Sequence, residues 1–426
     1  RIESVGPGDV AGIIYTSGTT GVPKGAVLTH DNLTFTCQSV LKSGTFEPGD
    51  VTFLFLPLAH VFARTCFYTA IITGTTVCLL RTMETLGDEL RAARPHWFVS
   101  VPRIFEKIYD KINHQIETKG GVALKLFKWA RRVGKAVSEC RMQGTPVPWK
   151  LKMQDRLADK LIFSKIRDAF GGRVRWCISG AAPLNPEIGK FFHACGILIL
   201  EGLGMTENTS FSNVNRPHNY RFGWVGPPGP GIEQSLAEDG EILFRGRNVM
   251  REYYKMPQET AAALTSDGWL HSGDLGEIDA ENFLRITGRI KDIIITAGGK
   301  NIAPAPIEIA LVGSKFISQA LVIGDKRHYL TALVALEPEA VSAWFQTHNL
   351  EEPTPDKWAS SPEVNRLIDA EVEAVNAKLP SFATIKKVTI AQAFTVEDGL
   401  LTPTLKLRKH KISQRYRHQI DALYRG

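Results

Sequence analysis

The 426-residue sequence has no run of about 18 uninterrupted apolar residues, which excludes a conventional membrane-spanning helix. Its six cysteines, Cys37, Cys66, Cys78, Cys140, Cys177 and Cys195, are scattered without a C-x-x-C pair. That spacing excludes a disulfide framework or a zinc module and fits a reducing cytoplasm. No internal repeat or low-complexity tract is present, so solenoids and disordered linkers are set aside. The chain opens at Arg1, with neither Met nor a signal-like segment. Most of the chain also lacks a charge excess. The net +7 arises in residues 119–175, where fifteen Lys or Arg stand against four Asp or Glu, and the remainder is slightly acidic. A regional excess of this kind does not describe a nucleic-acid-binding protein, and no nucleic-acid partner is expected.

What is present reads as a multidomain enzyme, with 43% hydrophobic and 22% charged residues. Short apolar runs, "GIIYTSG", "VTFLFLPL", "TTVCLL", "HWFVSVP", "VRWCISG" and "ILILEGLG", each end in a Gly-rich or polar loop. Helix-like stretches such as 103–117 and 149–170 lie between them. This alternation predicts an α/β fold around a mostly parallel sheet, with ligands beyond the carboxyl ends of the strands. After about residue 220, "GEILFRG", "FLRITGR" and "DIIITAGG" predict a smaller antiparallel or mixed sheet. "GRIKD", 288–292, marks an expected boundary between domains 1–290 and 291–426.

"IIYTSGTTGVPKG", 13–25, follows a strand and precedes the helical pattern "THDNLTFTCQSVL", whose polar start can cap a helix. Glycines admit phosphate oxygens to backbone N–H groups, hydroxyls add donors, and lysine adds charge. The string is not a Walker A loop, because Lys24 follows Pro23 and precedes Gly25. A surface turn with a solvated lysine is the plainer reading of such a loop.

The string resembles the nucleotide-binding signature of the adenylate-forming synthetases: acyl-CoA synthetases, luciferases and peptide-synthetase adenylation domains. Four further motifs follow in family order: "EGLGMTE" (201–207), "WLHSGDL" (269–275), "TGRIKD" (287–292) and "TPTLKLRK" (402–409). The resemblance implies a large N-terminal domain of layered α/β sheets, here truncated, and a small mobile α+β C-terminal domain. It implies that the substrates are ATP, a carboxylic acid and CoA, and that Mg²⁺ is required. Thr16, Ser17, Gly18, Thr19, Thr20, Gly21 and Lys24 would hold the β- and γ-phosphates. Thr206 would meet the α-phosphate, and Glu207 offers Mg²⁺ a hard oxygen. Gly180, Ala181 and Ala182 would line the adenine pocket, Ile286 would pad its other face, and Glu201 and Gly202 would belong to the ATP site. Asp274 would accept the ribose hydroxyls, with Arg289 beside it. Lys406 would neutralise charge at the α-phosphate and the reacting carboxylate. Lys291 would be the hinge, and Gly298, Gly299 and Lys300 would admit the pantetheine arm. For several of these the bland alternatives stay open: a solvated tail for Lys406, a close-packed strand end at 180–182, a plain turn at 296–301, core for Ile286.

"FLPLAHVFAR" and "VPRIFEKIYDKI" resemble the long-chain fatty acyl-CoA synthetases in particular, which makes a long-chain fatty acid the implied substrate. His60, Leu203 and Gly204 are the implied acyl-site residues. A ligase that delivers the acyl group to a carrier-protein phosphopantetheine is the alternative. Residues 122–137 place Val122, Leu126, Trp129, Val133 and Val137 on one stripe and Lys125, Lys128, Arg132 and Lys135 on another. Two readings compete: peripheral contact with a membrane, and a helix packed on the sheet with a solvated basic side. Family members carry a large stretch before the first motif, so residues 1–426 alone are expected to be poorly stable or inactive. Nothing in the sequence fixes the oligomeric state.

Overall fold

The computed structural model describes residues 4–16, 23–402 and 405–425. Two compact units emerge, one of residues 1–272 with 276–286, the other of residues 273–275 with 287–426.

The first unit opens on an antiparallel pair, Val10–Thr16 with Lys24–Thr29, in which Thr16 faces Lys24. Glu252–Tyr253 adds a third strand, placing Tyr253 opposite Ala26. The expected helix and its polar cap are present, and a strand that the sequence did not show lies between them and the loop. "KGAVLT" pairs as a strand, and the helix His30–Ser43 starts only after it. Thr29 caps that helix reciprocally with Asn32, at 3.2 and 2.8 Å. The Asn32 amide also donates to the carbonyls of Arg247 and Val249, tying the helix to the chain that leads into Tyr253.

The six-stranded sheet runs Thr76–Leu79, Val51–Leu54, Trp97–Ser100, Trp176–Ser179, Leu198–Leu203 and Asn213–Val214 in spatial order. The first five strands are parallel and the last is antiparallel. Consecutive residues of the strands point to opposite faces. Phe53, Phe98, Cys177 and Ile199 enter one core with Phe105, Phe127, Phe191 and Phe192. Leu54, Trp97, Val99, Trp176 and Leu200 enter the other with Ala63, Cys66 and Ala70 of the helix Val61–Thr73. Helices therefore cover both faces, as a parallel sheet requires.

The helix-like stretch 149–170 is interrupted. Trp149–Ala158 passes through a wider turn, Asp159–Phe163, before Ser164–Asp168 resumes the α-helix. Helix Gly121–Met142 buries Phe127, Ala130, Val133, Gly134 and Val137. Val122, by contrast, is 81% exposed. The apolar stripe expected over 122–137 thus turns largely into the core, and Lys125, Lys128, Arg132 and Lys135 remain exposed. Among the described residues, no helix is long and apolar enough to cross a membrane.

A four-stranded sheet, Leu284–Arg289, Leu270–Ile278, Glu241–Gly246 and Ile232–Leu236, follows. The second unit carries a small three-stranded sheet, Ile317–Ile323, Leu330–Leu336 and Ile385–Ala391, whose last two strands are parallel. Val334 and Ala332 face helices Pro304–Val312, Pro338–Thr347 and Pro362–Asn376. Leu321 and Leu333 face a second cluster with Leu400, Ile412 and Ile420.

Candidate active site

In the first unit, three segments distant in sequence meet at Tyr253. The hairpin strand delivers Lys24, whose Nζ lies 5.0 Å from the centre of the Tyr253 ring. The hydroxyl of Tyr253 donates to Glu207 Oε1 at 2.7 Å. Backbone bonds fix the arrangement: Tyr254 N–H donates to the Gly25 carbonyl and Met250 N–H to the Glu207 carbonyl, both at 2.7 Å. Burial first, and then the Glu207 carboxylate, push the Tyr253 hydroxyl far up, so it stays protonated as a donor. Glu207 and Thr206 are both buried in the turn Thr206–Asn208. Thr209 and Ser210, which follow, both take left-handed backbone angles of 55° and 64°. Asn248 locks this strained pair, its amide donating to the carbonyls of Asn208 and Phe211 while its own carbonyl accepts from Thr209 Oγ1.

Glu201 lies within the strand Leu198–Leu203, two residues before its end, and is buried. Its oxygens accept from Gly223 N–H at 2.8 Å and Leu184 N–H at 3.4 Å. It therefore ties down the loop that carries Gly180, Ala181 and Ala182. Burial raises its carboxyl to about 7. Ala181 sits at a φ of 71°, and a Cβ at position 180 would press on the Phe62 ring at 3.2 Å. Gly202 is pressed against the Asn213 carbonyl, and Gly204 leaves no room at all: a Cβ there would overlap the Ser210 carbonyl. Leu203 and Ile286 are half-buried against the cluster of Val225, Ile242, Phe244 and Leu284. His60 caps the helix Val61–Thr73, its Nδ1 accepting from Phe62 N–H at 3.3 Å. Thr16 Oγ1 reaches the Lys24 carbonyl at 3.3 Å. Ser17, Gly18, Thr19, Thr20 and Gly21 lie outside the described residues.

The second unit holds its own group. Asp274 is buried and accepts from Arg289 Nε at 2.6 Å. Burial raises its carboxyl, while Arg289 and then the Lys406 ammonium pull it back, which puts Lys406 within electrostatic reach. Lys406 is exposed at a tight turn clipped by bonds between Thr402 and Lys406 and between Arg408 and Leu400. At the foot of this turn Lys409 bridges Glu308 at 3.0 Å and Asp292 at 3.4 Å. Lys291 is exposed in the turn Ile290–Asp292. Gly298, Gly299 and Lys300 form an exposed turn closed onto Thr296, with Gly299 at a φ of 72° and Lys300 5.8 Å from the Phe382 ring.

Sequence reasoning did not single out Tyr253, Asn248 or Lys409. Tyr253 lies 46 positions from its partner Glu207 and in no motif used above. Lys409 sits in a basic string that gives no ground for choosing among its members.

Residues 1–254 match the sequence profile of the AMP-binding enzymes, and residues 291–426 match the AMP-binding enzyme C-terminal domain. The chain belongs to the AMP-binding enzyme family. Within it, the long-chain-fatty-acid–CoA ligase FadD15 of Mycobacterium tuberculosis is 36% identical over 431 residues, spanning 100% of this chain and 71% of the relative. The peroxisomal long chain acyl-CoA synthetase 7 of Arabidopsis thaliana is 34% identical over 439 residues, spanning 98% of this chain and 61% of the relative. Among solved structures, the adenylation domain of a Mycobacterium chelonae carboxylate reductase superposes with a TM-score of 0.72 at 25% identity, over 98% of this chain and 60% of that one. MatB of Rhodopseudomonas palustris, solved with ATP bound, shares the fold at a TM-score of 0.66 and 24% identity, over 96% of this chain and 69% of that one.

Proposed function

We propose that this AMP-binding enzyme activates a long-chain fatty acid as its acyl-adenylate and passes the acyl group to CoA. The observation that carries the reading is the Lys24–Tyr253–Glu207 cluster, a cation and a buried carboxylate set on one ring by a rigid sheet. A carboxylate is a poor acylating agent because oxide is a very bad leaving group. One fatty-acid oxygen therefore attacks the α-phosphorus of ATP, the bond to the bridging α–β oxygen breaks, and pyrophosphate leaves. The CoA sulfur then attacks the acyl carbon, the thiol proton is lost to solvent, and AMP departs.

Each residue has a part in this scheme. Lys24, with the loop 16–21, neutralises the β- and γ-phosphates, and Thr206 donates to the α-phosphate. Gly180 to Ala182 offer a flat, side-chain-poor edge for adenine, held by Glu201, with Gly202 and Ile286 nearby. Asp274, oriented by Arg289, accepts the ribose hydroxyls. Lys406 meets the charge that builds between carboxylate and α-phosphate. Lys291 absorbs a rotation of the C-terminal domain, and the Gly298–Gly299–Lys300 turn admits pantetheine. His60, Leu203 and Gly204 border the acyl chain.

The donor set also fits Mg²⁺. Mg²⁺ at nucleotide sites takes one or two carboxylates along with substrate phosphates, and Glu207 is one such carboxylate, aimed by Tyr253. Mg²⁺ would supply charge neutralisation on the phosphates. The chain's relatives are named as CoA ligases, which favours free CoA over a carrier protein. The test is palmitate-dependent ATP–pyrophosphate exchange with and without CoA, on wild type and Lys406→Ala. Exchange that needs palmitate, with thioester formed only when CoA is added, supports the reading. Thioester formed on a carrier protein but not on CoA replaces it with the alternative.

A further inference from the structure

Helix Trp149–Ala158 has two opposed sides. Leu151 and Ala158 turn into the core, and Asp155 pairs inward with Arg141 at 3.6 Å. On the opposite side Trp149, Met153 and Leu157, spaced four apart, form one stripe that is 72%, 56% and 51% exposed. Such spacing ordinarily buries a helix face; here it faces solvent. Lys150 flanks the stripe on one side, 5.7 Å from the Trp149 ring, and Lys152 and Arg156 flank it on the other. No carboxylate lies on this outward side.

The neighbouring helix Gly121–Met142 packs against this one and adds exposed Lys125, Lys128 and Arg132. Three of the region's acidic residues are already spent on internal pairs: Glu139 with Lys135, Asp155 with Arg141 and Asp159 with Arg167. Among the described residues, no carboxylate pairs with Lys125, Lys128, Arg132, Lys150, Lys152 or Arg156.

We propose that the Trp149–Met153–Leu157 face, with the cations around it, docks on an anionic phospholipid bilayer. An apolar stripe bordered by lysine and arginine matches the boundary between acyl chains and charged headgroups, and tryptophan suits that depth. The helix is already folded onto the protein, so binding orders little. The occupant follows from the same features. A nucleic acid would satisfy the cations but leave Met153 and Leu157 in water. A second copy of this face would set like charges against each other. This proposal stands apart from the ligase reading, because binding is read without ATP, fatty acid or turnover.

The experiment is flotation of the protein with vesicles of mixed phosphatidylglycerol and phosphatidylcholine, against vesicles of phosphatidylcholine alone. Wild type is expected to float only with the mixed vesicles. Trp149→Ser/Met153→Ser/Leu157→Ser and, separately, Lys150→Gln/Lys152→Gln/Arg156→Gln are each expected to lower partitioning about tenfold or more. All six side chains are outward, so both variants should keep the wild-type melting temperature, and the second tests charge with the apolar stripe intact. The proposal is overturned if wild type does not float, if it floats equally with uncharged lipid, or if both variants float like wild type. It is also overturned if the serine variant changes only the mass of the protein in solution, which would make the stripe an interface between copies.

Discussion

The proposed scheme assigns a phosphate-binding lysine to each unit, and the two lysines are held differently. Lys24 lies in a three-stranded sheet, over a buried tyrosine that is itself bonded to a buried glutamate. Lys406 stands at an exposed turn held by a few backbone bonds, with Lys409 anchoring its foot to Asp292 and Glu308. The first arrangement suits a group that must keep one position, because its neighbours cannot relax without breaking the sheet. The second suits a group that is delivered, because the lysine is exposed and the segments on either side of it are joined by backbone bonds. Buried preorganisation and an exposed, clipped tip are two ways to meet phosphate charge.

The sharpest way to break this contrast is Lys406→Ala. It should lower palmitate-dependent pyrophosphate exchange by about 10²–10³-fold with an unchanged melting temperature. A melting temperature several degrees lower would mean the turn is structural. Next in size is a pH effect confined to the first unit. Burial raises Glu201 from 4.5 to about 7, so in that interval the native protein keeps a proton that the unfolded chain has lost. Its contribution falls as pH rises. Burial lowers His193 from 6.5 to about 4, so its contribution falls as pH drops. The two slopes oppose each other. Glu201→Gln should unmask the histidine, steepening the acid-side loss by about 3 kcal/mol, read from denaturant titrations across the interval. An unchanged profile would remove Glu201 from the account.

Tyr253→Phe should raise the Mg²⁺ concentration needed for half-maximal exchange about tenfold, as expected for losing one bond to a charged group. An unaltered Mg²⁺ requirement would show that the hydroxyl does not aim Glu207. The smallest effect belongs to the second unit. Gly299→Ala should cost about 1–2 kcal/mol for its left-handed backbone and should weaken CoA more than ATP in KM. Equal changes in both would argue against a pantetheine role for that turn.

Much of this was legible in the sequence. The inner parallel strands each read as a short apolar run because both of their faces are buried, whereas the edge strand Thr76–Leu79 is partly exposed. Glu207, Asp274, Arg289 and Lys406 fall within motifs that follow in family order. The hairpin strand Lys24–Thr29 did not show, because Gly25 and Ala26 dilute its pattern. Of the two readings of 122–137, the structure shows the packed helix with its basic side exposed, though the sequence did not show where it packs closest. The helix packs closest at Ala130 and Gly134, where a Cβ on Gly134 would meet the Phe163 ring at 2.8 Å. A reading by hydrophobicity passes over small residues at close approaches. Tyr253, Asn248 and Lys409 were hidden because their partners are set by tertiary contact.

The backbone at Gly204 bears on redesign of substrate range. The chain there presses directly on the Ser210 carbonyl, within the loop that carries Glu207. A side chain introduced at this position would push apart the loop that holds Glu207, so activity should fall alike for every chain length. Libraries aimed at longer or shorter fatty acids should hold position 204 constant and vary Leu203, which is half-buried against side chains rather than pressed on backbone.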